Sequence, residues 1–119
     1  MRAKVEWAEI EVPAVSLDEF YQDCPPPDFI KMDIEGAEGE ALEGAVRILS
    51  TGSTRWLIEL HNFDGGWSPG QVIAFMKNYR YKATELAPSR VLFSPMSARE
   101  FIVHRARSVA GRLRRLFGL

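Results

Sequence analysis

Apolar positions along the chain fall into short runs, separated by glycine, proline and polar clusters. Over residues 5–15 they alternate loosely, which predicts a strand or half of a hairpin. Ser16-Leu17-Asp18-Glu19 then reads as a capping box: the serine oxygen takes the Glu19 amide and Glu19 reaches back. A short helix should follow and end before Pro25. Residues 28–33, DFIKMD, form a compact apolar run with one lysine and predict a buried strand. Gly36 breaks that run. Ala41, Leu42, Ala45, Val46 and Leu49 then recur at helical spacing, so one helix is predicted over residues 37–49. Glu38 and Glu40 occupy its first turn, where negative charge suits the helix dipole. Thr51-Gly52-Ser53 ends it.

Residues 55–60, RWLIEL, predict a second buried strand, and residues 61–66 a polar loop. Ser68-Pro69 starts another helix, with proline at a position it tolerates. Residues 81–86, 91–93 and 101–104 read as three short strands, and residues 107–117 as a basic amphipathic helix. Strand and helix alternating in this rhythm predict an α/β fold. The expected sheet is mostly parallel with an antiparallel edge. A domain over residues 1–105 and a basic C-terminal helix over residues 106–119 divide the chain.

Composition adds a charge asymmetry. Residues 1–64 hold 14 acidic and 5 basic side chains, whereas the remainder holds 2 acidic and 10 basic. The pattern suggests an acidic site region and a basic tail. Basic and aromatic residues do not interleave, so no nucleic-acid partner is expected. The single cysteine, Cys24, excludes an internal disulfide and leans towards a reducing, cytoplasmic setting. No apolar run approaches the roughly 20 residues needed to cross a bilayer.

Parallel sheets bind ligands beyond the carboxyl ends of their strands. Two strand ends therefore carry the candidate chemistry: Asp33-Ile34-Glu35-Gly36 and Glu59-Leu60-His61-Asn62. If the strands are parallel neighbours, Asp33, Glu35, Glu59, His61 and Asn62 share one rim. Buried charge is costly unless paired or functional, which singles out Asp33 and Glu59. The plain alternatives are a helix-capping role for Asp33, an ion pair with Lys31 for Glu59, and a surface position for His61. Asn62 needs no reason beyond the turn, and Glu38 reads as a dipole-compensating surface acid, with a functional role beside the rim as the alternative.

Ser16–Phe20, then Phe29-Ile30-Lys31-Met32-Asp33-Ile34-Glu35-Gly36-Ala37-Glu38, then Ala41-Leu42-Glu43-Gly44-Ala45, resemble the FkbM methyltransferase family, and Trp56-Leu57-Ile58-Glu59-Leu60-His61-Asn62 matches its Ile-Glu-x-His strand end. The resemblance implies a Rossmann-like methyltransferase fold and S-adenosylmethionine as cofactor. It implies methyl transfer to a hydroxyl of a small molecule or saccharide. It begins just ahead of the family's fourth strand, and no glycine-rich strand-to-helix turn precedes Asp33. The N-terminal cofactor-binding strands are thus expected to be missing and the chain to be a truncated piece. A non-catalytic remnant or interaction module needing a partner half is the alternative.

Under this reading His61 is the base, with an intrinsic pKa suited to the task. Asp33 orients the acceptor or the sulfonium, and Glu35, Glu59 and Asn62 complete the rim. Asp33, Glu59 and Asn62 offer oxygen ligands of the magnesium type, but the resemblance demands no metal and none is assigned. Two surface expectations follow: self-association through an exposed sheet edge beside Phe29, and peripheral membrane contact through the C-terminal helix. Packing of that helix on its own sheet is the plainer alternative.

Overall fold

A computed structural model describes residues 7–118. Its elements, in chain order, are α1 (Leu17–Phe20), β1 (Phe29–Met32), α2 (Glu38–Glu43), α3 (Val46–Thr51), β2 (Arg55–Glu59), α4 (Pro69–Asn78), β3 (Tyr81–Ala87), β4 (Arg90–Pro95) and α5 (Ala98–Phe117). The four strands make one mixed sheet in the order β1-β2-β4-β3. β1 and β2 are parallel, with Met32 opposite Ile58. The other two pairings, β2 with β4 and β4 with β3, are antiparallel.

The fold is α/β as expected, but the sheet is mostly antiparallel. The reason lies in Pro88-Ser89. Two residues between β3 and β4 leave room only for a hairpin, with Ser89 at φ 64. β4 then folds back between β2 and β3, so two antiparallel pairings follow from one tight turn.

Alternation places Met32, Trp56, Ile58, Val91, Phe93 and Tyr81 on one face of the sheet, where they are buried. Leu42, Ile48 and Leu49 from α2 and α3, with Val72 and Met76 from α4, complete that core. Each such side chain contributes about 1.5–3 kcal/mol by leaving water. The opposite face is open. It presents Phe29, Lys31, Arg55, Lys82 and Arg90, all exposed, around the half-buried Leu57 and Leu92. Hence the DFIKMD run is not a fully buried strand: β1 is an edge strand and only Met32 is buried.

Three further expectations change. Residues 7–15 form no strand and are exposed, since no neighbouring strand is there to pair with them among the described residues; the start of that run lies outside those residues. The single helix over residues 37–49 is two helices, broken at Gly44-Ala45. Asp18 explains the break. Its amide donates to the Gly44 carbonyl at 2.9 Å, and its carboxylate accepts from the amides of Arg47 at 2.7 Å and Ile48 at 3.0 Å. An aspartate supplied from α1 thus caps α3, whose own N-cap residue, Ala45, offers no side-chain acceptor. Finally, residues 101–104 are helical. The box of Ser97 and Glu100, with both reciprocal bonds made, starts α5 just ahead of them. At Ser16 the serine half of the box forms, at 3.1 Å.

Candidate functional site at the ends of two parallel strands

β1 and β2 run side by side and end together, so the residues that follow each strand meet. The turn after β1 is tight. Glu35 has φ 56 and Gly36 φ 103, two left-handed residues in succession. For glutamate this conformation is strained, at about 1–2 kcal/mol. Gly36 is required twice over, because a Cβ there would also lie 2.7 Å from the Phe63 ring. The loop after β2 rests on this turn through Phe63 and Trp67, and His61 stands at its start.

The His61 imidazole is the centre of the site. Its Nε2 lies 3.6 Å from Asp33 Oδ1 and 3.8 Å from Glu35 Oε2. These distances are too long for hydrogen bonds but short enough for attraction between charges. Its Nδ1 lies 2.9 Å from Glu38 Oε1. The same oxygen accepts from the Gly36 amide at 3.2 Å. Side-chain exposure is 2% for Glu38, 19% for His61, 41% for Asp33 and 73% for Glu35. The cluster is therefore graded, from a buried carboxylate through a half-buried imidazole to two carboxylates facing solvent.

This gradation fixes the tautomer. An ionised carboxylate has no proton to give, so Nδ1 must carry one and donate it to Glu38. Burial acts to raise the Glu38 pKa. The hydrogen bonds from His61 and from the Gly36 amide outweigh it, and the group stays below its ordinary value of 4.5. In neutral His61 the lone pair is then on Nε2, which faces Asp33 and Glu35. The bond to Glu38 is the main cause that raises the His61 pKa above its ordinary 6.5. Partial desolvation opposes it, and the charges of Glu35, Glu38 and Asp33 reinforce it. A carboxylate behind one ring nitrogen and an exposed lone pair on the other is an arrangement suited to taking a proton.

Of the five residues the sequence singles out, the structure brings together Asp33, Glu35 and His61. Glu59 and Asn62 stand apart. Glu59 is opposite Arg90 in the strand register and its Oε2 lies 3.5 Å from the Arg90 guanidinium. It pairs with neither the rim nor Lys31. Asn62 is exposed in the loop. Sequence reasoning missed Glu38, which is buried rather than a surface acid. The available signal was its place directly after the turn that follows β1; the small residues Gly36 and Gly39 beside it instead make room for the Phe63 and Trp67 rings. Asp33, Glu35 and His61 each offer one ligand atom, all within 4.8 Å of one another, a set that could hold a divalent cation. The oxygen set of Asp33, Glu59 and Asn62 is not assembled.

Residues 4–83 match the family model described as the methyltransferase FkbM domain. Neither the curated proteins nor the solved structures provide a match to this chain.

Proposed function

Since the chain belongs to the FkbM methyltransferase domain family, whose chemistry is methyl transfer, we propose that the Asp33–Glu35–His61 rim is its acceptor site, with His61 as the base for a hydroxyl acceptor on a small molecule or saccharide. The hydrogen bond between Glu38 and His61 carries this reading. It holds the imidazole in the tautomer whose Nε2 faces the open rim. An acceptor hydroxyl placed against Nε2 loses its proton there as its oxygen becomes the nucleophile. Glu38 stabilises the imidazolium that results, and Asp33 and Glu35 reinforce it electrostatically.

S-adenosylmethionine, when bound, supplies the methyl group on a positively charged sulfonium. The donor set fits one end of that cofactor: Asp33 and Glu35 are exposed carboxylates suited to a cation. The adenosine end finds no counterpart, because the sequence has no glycine-rich strand-to-helix turn before Asp33. The rim residues therefore bind and orient the acceptor and remove its proton.

The test measures transfer of labelled methyl from S-adenosylmethionine to a panel of hydroxyl compounds and saccharides by the protein. His61→Ala should lower kcat by about 10²–10⁴-fold. Activity should rise with pH on a limb set by His61, above pH 6.5. Asp33→Asn and Glu35→Gln should move that limb to lower pH. An unchanged rate and pH profile in His61→Ala would end the assignment. So would activation by added divalent metal that a chelator reverses, which would make His61 a ligand.

A further inference from the structure

We propose that α5 lies flat on an anionic lipid surface and attaches the domain to it. The helix has 20 residues and is about 30 Å long, and none of its residues is buried. It meets the rest of the protein near its start, where the Arg80 guanidinium stands 5.4 Å from the Phe101 ring. Beyond that point its apolar side chains have no cover. Ile102, Ala106, Val109, Leu113 and Leu116 recur at i, i+4, i+7, i+11 and i+14, one continuous stripe of helical period. Ile102, Val109, Leu113 and Leu116 are each about half exposed or more. Arg105 and Arg112 border this stripe along one edge; on the other side Val103, Ala110 and Phe117 widen it before Arg107 and Arg114 are reached.

Charge decides what can cover the stripe. The helix holds six arginines and one acid, Glu100. The sheet's open face is partly apolar, but besides the Glu59–Arg90 pair it carries Lys31, Arg55 and Lys82, so docking there sets cation against cation. A second α5 packed on the stripe would set arginine edges against arginine edges. An anionic bilayer answers both features, because apolar side chains enter the acyl boundary while flanking arginines reach the phosphates. No helix among the described residues is long and apolar enough to cross a membrane, so the contact is peripheral.

Flotation of the full chain tests this with two kinds of vesicle, neutral phosphatidylcholine and phosphatidylcholine mixed with phosphatidylserine. The chain should float with the mixed vesicles, much less with the neutral ones, and progressively less as salt is raised. Arg105→Gln with Arg112→Gln should weaken partitioning about tenfold or more, and Val109→Glu with Leu113→Glu should abolish it. These residues are exposed, so circular dichroism of the variants should show the sheet intact. Equal flotation with both vesicle types, or none, overturns the proposal. A dimer abolished by Leu113→Glu, without flotation, would also overturn it by giving the stripe to a second copy.

Discussion

Gly39→Ala should destabilise the protein, although alanine is the better helix former. Gly39 lies in α2 directly after Glu38, and an added Cβ would stand 2.3 Å from two atoms of the Trp67 ring. Alanine for glycine inside a helix gains about 0.8–1.0 kcal/mol. Forcing a methyl group into a packed indole costs about 1–3 kcal/mol, because a fused ring has no flexible end to yield. Trp67 also packs edge-on against Phe75 of α4, with centroids 5.1 Å apart, which restricts its retreat. The net expectation is a loss of up to about 2 kcal/mol. Gly70→Ala is the internal control: at the start of α4 its Cβ would meet only Ser68 Oγ, at 3.9 Å. That substitution should be neutral or stabilise by up to about 1 kcal/mol. Urea denaturation should therefore rank Gly39→Ala below Gly70→Ala, by up to about 3 kcal/mol. Displacing Trp67 also shifts the loop that starts at His61, and a misplacement near 1 Å can cost about 10²-fold in rate. Equal stability of Gly39→Ala and Gly70→Ala would refute the packing argument.

Stability should also depend on pH in a defined window. The raised His61 pKa contributes stability that is complete below 6.5 and is lost as pH rises through the folded-state value. The lowered Glu38 pKa contributes stability present above 4.5 and lost as pH falls through its folded value. The cluster's contribution should thus peak between those values, and Glu38→Gln should flatten both limbs in denaturation midpoints taken across pH; an unaltered profile would remove Glu38 from the account. Asp18→Ala should cost about 1–2 kcal/mol through the lost cap on α3, with Asp18→Asn recovering less than half, because its amide would face a backbone donor; hydrogen exchange at Arg47 and Ile48 reports it directly. Glu35→Gly should relieve the left-handed strain and hold or raise stability by up to about 1 kcal/mol while lowering methyl transfer, a split that a thermal melt and a rate assay would show together.

Local signals in the sequence were read well where the chemistry is local. The helix starts at Ser16 and Ser68, the stop at Gly52 and the strands over residues 29–32 and 55–59 depend on neighbours within a few residues; the box at Ser97 is just as local, yet the apolar residues 101–104 behind it suggested a strand. Long-range partners were not legible. The break between α2 and α3 depends on a carboxylate some 30 residues upstream, and the direction of β4 on where a hairpin folds back. The same divide runs through the site. Asp33 and His61 are visible as polar residues ending apolar runs. Glu38 has the spacing of an ordinary first-turn acid, and only the approach of His61 from another strand turns it inward. Glu59 looked as exceptional as Asp33 in sequence, yet the arginine that neutralises it comes from β4, across the register.

The free edge of β1 sets how new material can reach this rim. A strand that pairs there in parallel would meet the amides and carbonyls of β1 that face away from β2, and its register would be set by the side chains it adds to the core face. Its last residue would then emerge beside the turn at Asp33 and Glu35, on the side away from His61. Whatever group that residue carried would face the turn from the side opposite the His61 imidazole, so the way an added strand joins the sheet would also set the line along which its side chains meet the rim.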